Sequence, residues 1–474
     1  MIMKKLFVFI ITLAFITTLA ACTPLERAGM SDQERRFHDV FDHLRDNHYK
    51  QLDEDDFWDG AIRGLFDTLD DPYSRYFSEE EYEQYRSSLG ESFVGIGVTV
   101  ENVDDNIVVR KVWSGSPAER GGIRTGDIVT HVDGVDHTDK SFLETILAVQ
   151  GEEGTEVEIG VKRLGVAETL FLTMTREEIP NPTVEHHTIE TDTIKLGYIK
   201  VNSFGTETAG RFKLALSEME AQGIEGLIID LRDNSGGSLQ TVLELMRVFL
   251  IDDGNPLFTT ESYTRGVPTT TEYQGGAAEP KPYDIITLIN EHSASASEVF
   301  ASAMKQHGGY EVIGMPSFGK GTMQTPHSTT ALGGDELHVS TGIWRTANGT
   351  WVNKDGGDQK SVMPTIEVEQ NPYFAAHNIF VDAGEVLGFD QVDPQIAHAQ
   401  SILNALGYGD IRTDSYFDQD TEDAVMAFQA AHDLDATGAI DATTAQALTE
   451  AFLNYRNDRA NDDQYQAAIG YFDD

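Results

Sequence analysis

This chain of 474 residues has little cysteine, few basic residues and a single long apolar run. Its one cysteine, Cys22, excludes an intramolecular disulfide. Only 34 basic residues stand against 79 acidic residues, and a net charge of −45 makes nucleic acid and anionic lipid headgroups poor partners because the surface repels both. The apolar run lies at the N terminus, and no other run approaches the roughly 20 residues of a membrane-spanning helix. The composition therefore indicates a globular chain, long enough for several domains.

The N-terminal run has the order of an export signal. Residues 1–22 contain two lysines, then an apolar stretch, then small residues before Cys22. The tetrapeptide Leu19-Ala20-Ala21-Cys22 resembles the bacterial lipoprotein box, which implies that residues 1–21 are removed and that Cys22 is lipidated. We therefore expect an extracytoplasmic protein held at the cell membrane by acyl chains, whose burial contributes about 0.8 kcal/mol per methylene. The alternative is a secretory signal with an incidental cysteine.

Residues 22–90 have the pattern of a helical region. Phe37, Val40, Phe41 and Leu44 follow helical spacing, and Asp71-Pro72 indicates a turn. Two interpretations remain open for this N-terminal helical arm. It is either an arm that forms a homodimer or a pair of helices that packs on its own chain.

Residues 91–180 contain short β-type runs separated by glycines. Val94-Gly95-Ile96-Gly97-Val98, with Ser116-Pro117-Ala118-Glu119 and Gly126-Asp127-Ile128-Val129 after it, resembles a PDZ domain. The resemblance implies a β-domain whose Val94, Gly95, Ile96, Gly97 and Val98 bind a terminal carboxylate, while the bound peptide adds as a strand. Gln150 departs from the arginine that processing proteases often carry there. The alternative is a small β-domain without a ligand.

Residues 181–380 alternate β-type and helical patterns, which predicts a mixed α/β core. A buried strand pattern, IEGLIID, leads into LRDNSGG and then a helix. Gly236 and Gly237 would leave backbone N–H groups free to face a ligand, as in an oxyanion hole. The alternative is an ordinary turn between a strand and a helix.

Two further segments of this core carry the nucleophile chemistry. IITLINEHSASASEVF predicts a strand, a turn and a helix, with Ser293, Ser295 and Ser297 as candidate nucleophiles in the turn. FGKGTMQ places Lys320 among glycines, and a desolvated lysine is a base that activates serine. From the residues alone, Lys320 is equally a surface lysine. A serine–histidine pair is a third reading, with candidates nearby in His292, His307 and His327.

The loop LRDNSGG, the turn SASASE and the loop GKGTMQ occur in the order found in the C-terminal processing protease family of serine–lysine peptidases, and residues 31–368 resemble that family. The resemblance implies Ser295 as nucleophile, Lys320 as general base and Gln324 as the residue that orients the lysine amine. It also implies that N–H groups of Gly236 or Gly237 and of Ala296 form the oxyanion hole. Neither a metal nor a cofactor is implied.

Residues 381–455 form a separate unit with two similar halves. Tyr416-Phe417-Asp418 and Gly438-Ala439-Ile440-Asp441 each precede a helical pattern, and this resembles the three-helix peptidoglycan-binding domain. The resemblance implies peptidoglycan as a partner, and the alternative is a helical spacer. Residues 456–474 read as a loose polar tail.

The sequence thus predicts a multidomain α/β protein with an N-terminal helical arm, a PDZ β-domain, a mixed α/β protease core and a small C-terminal three-helix domain. The expected function is a membrane-tethered endopeptidase of the cell envelope that recognises free protein C-termini. The alternatives are a catalytically silent adaptor that binds through its PDZ and wall domains, and a serine–histidine amidase or esterase acting on the wall.

Overall fold

The computed structural model describes residues 30–473 apart from 51–53, 80, 83–84, 86–91, 104–105, 141, 164–165, 167, 181, 329–333, 377–378, 380 and 382–383. The predicted export signal and Cys22 lie outside these residues. In the described part of the chain, no helix is both long and apolar enough to cross a membrane.

The N-terminal region is a pair of packed helices, α1 (Asp32–Asn47) and α2 (Glu54–Asp67). Ser31 begins α1 with a capping box that includes Glu34. Phe41 is buried, and its ring stacks on Trp58 with centroids 4.5 Å apart. The predicted helices are therefore present. Phe37 and Leu44 stay 44% and 46% exposed, so the dimer arm remains a prediction.

The next elements link this region to the mixed α/β core and build a small β-domain. In chain order they are β1 (Arg75–Phe77), β2 (Ser92–Gly95), β3 (Val98–Val103), β4 (Asn106–Val112), α3 (Pro117–Gly121), β5 (Ile128–Val132), β6 (Val135–Asp136), α4 (Phe142–Val149), β7 (Glu156–Lys162), β8 (Leu170–Thr175) and β9 (Glu177–Pro180). The sheet has the order β3-β4-β5-β7-β8, with β6 on β5, and β2 pairs with β9. Strand β3 is therefore an edge strand, and it borders a groove that is also lined by α4.

The mixed α/β core follows. Its elements are β10 (Val184–Glu190), β11 (Lys195–Val201), α5 (Thr208–Ala221), β12 (Gly226–Asp230), α6 (Leu239–Met246), β13 (Phe258–Thr264), β14 (Val267–Tyr273), β15 (Asp284–Ile289), α7 (Ala296–Gln306), β16 (Glu311–Gly314), β17 (Thr322–His327), β18 (Glu336–Thr346) and β19 (Ile366–Glu367).

Two sheets organise this region. One has the order β10-β11-β12-β15-β16-β19 and is parallel except for the β10–β11 pair. Side chains alternate across it, so Leu227 and Ile229 join one core cluster and Ile228 joins another on the opposite face. The other sheet has the order β1-β18-β13-β14, with β17 also on β18. Strand β1 thus fixes the N-terminal region to the mixed α/β core.

After 3-10 turns at Pro372–Ala375, the C-terminal domain contains α8 (Pro394–Ala405), α9 (Gln419–Ala431) and α10 (Ala442–Asn457). Its two halves repeat one hydrogen-bond pattern. The buried Gln400 donates to Thr421 Oγ1 at 2.9 Å, and the buried Gln429 donates to Thr444 Oγ1 at 3.0 Å. The internal repeat and the three helices agree with the predicted fold class.

The polar tail predicted for residues 456–474 is wrong. After a 3-10 turn at Arg459–Asn461, helix α11 (Asp463–Asp473) packs against the parallel sheet. Tyr465 and Ala468 are buried there, on the face that carries Tyr198 and Ile228. Tyr465, Ala468, Ile469 and Phe472 repeat at helical spacing and form one apolar side of α11, while Tyr471 is exposed.

Candidate active site

The candidate site lies where β12 and β15 end. These are neighbouring parallel strands, so the loops after them meet at one edge of the sheet. Several hydrogen bonds join the loops. Ser293 Oγ donates to the Leu231 carbonyl at 2.8 Å, and the Ala294 N–H and Ser297 Oγ donate to the Asn234 carbonyl at 3.0 and 2.8 Å. The glycine loop and the serine turn, predicted separately from the sequence, are therefore one structural unit.

Among the three serines of the turn, Ser295 is presented differently. It is the N-cap residue of α7 with φ 55° and ψ −116°, a backbone conformation that a residue with a side chain rarely adopts. Ser295 is partly exposed, while Ser293 and Ser297 are fully buried and use their hydroxyls to hold the two loops together. The geometry therefore favours Ser295 as the accessible hydroxyl.

The glycine pair approaches this serine closely. A Cβ atom on Gly236 would lie 2.8 Å from Ser295 Cβ and 3.1 Å from the Ala296 nitrogen, so only glycine fits there. The Gly236 N–H already donates to Asn234 Oδ1 at 2.9 Å. Among the described residues, no acceptor pairs with the N–H of Gly237 or of Ala296. Of the three predicted oxyanion donors, Gly237 and Ala296 are the two left available.

Lys320 lies in the loop between β16 and β17, packed beneath residues that precede β1. Its Nζ is 4.7 Å from the centroid of the Tyr73 ring. Burial lowers the pKa of Lys320; the negative charges of Asp71 and Glu298 oppose this shift, and the positive charge of Arg75 adds to it. The result is an amine that loses its proton more readily than an ordinary lysine, as a general base requires.

A buried carboxylate that the sequence analysis missed connects the serine turn to the lysine loop. Glu298 Oε2 accepts from the N–H of Ser295 at 2.7 Å and from the N–H of Lys320 at 2.8 Å. Its Oε1 accepts from Ser317 Oγ at 2.5 Å and from the Gly319 N–H at 2.7 Å. Burial raises the pKa of Glu298 against these hydrogen bonds. The available signal was a glutamate three residues after Ser295, the spacing of a capping box.

Gln324 belongs to a polar chain beside the lysine. Its amide nitrogen donates to Thr322 Oγ1 at 3.2 Å and to Ser340 Oγ at 3.0 Å. The Ser340 N–H donates to Ser74 Oγ at 2.9 Å, and Ser74 Oγ donates to Asp71 Oδ2 at 2.6 Å. Gln324 therefore supports the segment that covers the lysine, and its predicted role in orienting the Lys320 amine remains a prediction.

The three histidines near the motifs are poorly placed as partners of Ser295. The His292 side chain is 67% exposed, and His327 is exposed at the end of β17. His307 follows the last residue of α7, which puts it about 18 Å along the helix from Ser295 at 1.5 Å per residue. The geometry therefore favours Lys320 over a serine–histidine pair.

The predicted peptide-binding residues border the groove of the small β-domain. Gly95, Ile96, Gly97 and Val98 line it, as do residues of α4. Gly97 has φ 80°, and a Cβ atom there would lie 2.4 Å from Ser116 Cβ, so the loop needs glycine. Val94, the residue before Gly95, pairs with Glu178 between β2 and β9.

A cavity of about 360 Å³ adjoins this groove. Ile146 and Gln150 line both the groove and the cavity. The cavity is also lined by Ser74 and Arg75, which belong to the segment that covers Lys320. The cavity thus borders both the groove and that segment.

Comparison with known proteins gives matches along most of the chain. Residues 195–368 match the model of peptidase family S41, 94–173 match the PDZ domain, 392–448 match a putative peptidoglycan binding domain, and 21–81 match the activating protease CtpB N-terminal domain.

Three curated relatives are similar over nearly their full length. Carboxy-terminal processing protease CtpB of Bacillus subtilis is 32% identical, with 95% of this chain and 92% of the relative covered. CtpA of the same organism is 30% identical, covering 96% and 94%. A probable CtpA-like serine protease of Staphylococcus aureus is 32% identical, covering 89% and 82%.

Proposed function

We propose that this chain, which belongs to the carboxy-terminal processing proteases of peptidase family S41, cleaves envelope proteins by a serine–lysine mechanism. One observation carries the proposal. A single oxygen of the buried Glu298 binds the backbone N–H of both Ser295 and Lys320, so the candidate nucleophile and base are held in one rigid unit. Gly236 lies against Ser295, and the N–H groups of the adjacent Gly237 and of Ala296 are the proposed oxyanion donors.

In the proposed reaction, neutral Lys320 accepts the hydroxyl proton as Ser295 Oγ attacks the scissile carbonyl. The N–H groups of Gly237 and Ala296 stabilise the oxyanion that forms, an effect worth about 10²–10³-fold in rate per donor in known enzymes. Lys320 returns the proton to the leaving amine, which leaves an acyl group on Ser295. Water, deprotonated by Lys320, then hydrolyses the acyl-enzyme.

Substrate recognition is proposed for the groove between β3 and α4. Since β3 is an edge strand, a protein C terminus can add beside it, with its carboxylate at the N–H groups of the loop from Gly95 to Val98. The cavity lined by Gln150 and Ser74 adjoins the groove and the segment that covers Lys320, and we infer that the bound chain passes along it. The substrate class is therefore proteins with a free and accessible C terminus.

The location proposed for the enzyme is the outer side of the cell membrane. Cys22 would carry the lipid anchor, and the C-terminal three-helix domain would bind peptidoglycan. The strongly acidic surface keeps the enzyme from binding anionic headgroups, so the anchor rather than surface charge would hold it at the membrane.

The test compares Ser295→Ala and Lys320→Ala with two matched controls, Ser302→Ala on α7 and Lys213→Ala on α5. Cleavage of an unstructured peptide with a free C terminus is measured for each variant. We expect both site variants to lose cleavage, the double variant to lose no more, and both controls to cleave as the parent does, because the pair acts as one unit.

A parent protein that binds the peptide without cleaving it would support the silent adaptor instead. If Lys320→Ala still cleaves the peptide and His292→Ala does not, the base is a histidine and not Lys320.

A further inference from the structure

The C-terminal segment that follows α10 reaches the rear of the candidate active site. Helix α11 covers one face of the parallel sheet with Tyr465 and Ala468. Arg459 lies over the rings of Tyr198 and Tyr465, 4.5 and 4.9 Å from their centroids. These contacts hold the segment beside the end of β12, where the glycine loop begins.

Asp462 occupies the position just before α11 and performs two tasks there. Its Oδ1 accepts from the Tyr465 N–H at 3.0 Å, which caps the helix. Its two oxygens also accept from the Arg232 guanidinium, with Nη1 to Oδ1 at 2.7 Å and Nη2 to Oδ2 at 2.9 Å. Burial opposes ionisation, yet the bonds from Arg232 lower the pKa of Asp462.

The other side of the same guanidinium binds Asp230, the last residue of β12. Arg232 Nε is 3.0 Å from Asp230 Oδ1, and Nη2 is 2.6 Å from Oδ2. Asp230 is fully buried and Arg232 nearly so. The guanidinium fork is thus fixed between a strand end and the C-terminal segment, a planar two-sided geometry that lysine does not reproduce.

Arg232 directly precedes the part of the loop that faces Ser295. The Asp233 N–H donates to Asn290 Oδ1 at 3.0 Å, and Asn234 Nδ2 donates to the Val201 carbonyl at 2.8 Å. The Asn234 side chain then accepts from the Gly236 N–H. A displacement of Arg232 would therefore displace Asn234 and, with it, the glycine pair that carries the proposed oxyanion donor.

We propose that Asp462 is a positioning residue for catalysis, which acts through Arg232 to hold the glycine loop in the geometry that stabilises the oxyanion. The inference rests on the proposed function of that loop. The C-terminal segment thereby contributes to the active site together with the loops that follow β12 and β15.

The test uses Asp462→Asn and Asp462→Ser, since both residues still cap α11 while the charged clamp on Arg232 is lost. Asp463→Asn is the matched control, because it removes the same charge from the neighbouring exposed residue. Steady-state cleavage and the affinity of a peptide aldehyde, whose adduct with a serine mimics the oxyanion, are measured below each variant's melting midpoint.

We expect both Asp462 variants to lower kcat about 10–100-fold with KM nearly unchanged, less than the loss of a whole oxyanion donor. Aldehyde affinity should fall by a similar factor, and Asp463→Asn should match the parent. In an Arg232→Gln background, Asp462→Asn should have no further effect. Unchanged kcat in both Asp462 variants, or an equal further loss in the Arg232→Gln background, would overturn the inference.

Failure of the serine–lysine proposal is detected separately, as residual cleavage by Ser295→Ala. The comparison of Asp462 with Asp463 does not depend on which group is the base.

Discussion

Replacement of Glu298 tests the connection between the serine turn and the lysine loop. In Glu298→Gln, the amide nitrogen can take the place of Oε1 and donate to Ser317 Oγ, while the amide oxygen keeps the N–H groups of Ser295 and Lys320. The Gly319 N–H and the Ser317 hydroxyl proton then lose their acceptor. Each buried unsatisfied donor costs about 1–3 kcal/mol, so two of them predict a loss of unfolding free energy of about 2–6 kcal/mol.

Glu298→Ala removes the acceptor of all three backbone N–H groups and of the Ser317 hydroxyl. By the same reasoning the loss is about 4–12 kcal/mol, comparable to the 5–15 kcal/mol that stabilises a typical domain. Urea unfolding measures both losses, and Glu291→Gln is the matched control because Glu291 is an exposed glutamate in the same turn. Cleavage should persist in Glu298→Gln and vanish in Glu298→Ala.

The pH dependence of Glu298→Gln adds a second readout. The Glu298 carboxylate raises the pKa of Lys320, so its neutralisation should shift the rise of kcat to lower pH. Equal unfolding losses in the two variants would refute the hydrogen-bond argument. Wild-type cleavage by a folded Glu298→Ala protein would show that the connection is not needed for catalysis.

Four further results are expected. Lys320→Met should be inactive but more stable than the parent at neutral pH. Because the pKa of Lys320 is lowered in the folded protein, burying this lysine costs stability only while it is protonated in the unfolded chain, so the gain in stability should disappear as pH approaches about 10.4. Urea midpoints at several pH values check this, and a variant less stable than the parent at neutral pH contradicts it. Asp71→Asn should shift the rise of kcat with pH to lower pH, and Arg75→Gln should shift it to higher pH, because Asp71 raises the pKa of Lys320 and Arg75 lowers it. Shifts in the same direction would count against Lys320 as the base. Amidation of a substrate's C terminus should slow cleavage of a long tailed substrate much more than that of a short peptide, and equal rates for free and amidated tails would remove the proposed role of the groove. Cys22→Ser should release the protein from the membrane fraction or block its processing, whereas unchanged membrane association and mature mass would exclude the lipid anchor.

Local patterns predicted most of the elements because the residues that fix them are close in sequence. The serine turn, the glycine loop and the three C-terminal helices each carry their own start and stop signals. Glu298 was missed because its sequence position indicates a helix cap, and its acceptor role toward Lys320 appears only when the loop after β16 folds back. Tyr73 was missed for a similar reason, since β1 must first pair with β18.

Gly236 shows the limit of motif reasoning at the site. The sequence does not distinguish Gly236 from Gly237 as an oxyanion donor. Only the structure shows that Asn234 Oδ1 already binds the Gly236 N–H. Helix α11 was misread because the residues leading into it, 456–463, are almost all charged or amide, and the apolar face of the sheet that receives it is built by distant strands.

The late position of α11 also affects how the chain matures. A polypeptide emerging from its N-terminal end completes β11, β12 and β15 well before α11, so the sheet face that carries Tyr198 and Ile228 stays open to water in the meantime. A folding intermediate of this kind exposes an apolar surface, to which chaperones bind and through which the chain aggregates. A nascent peptidase would also lack the clamp on Arg232 until α11 docks, which would delay its proteolytic activity until synthesis of the whole segment is finished.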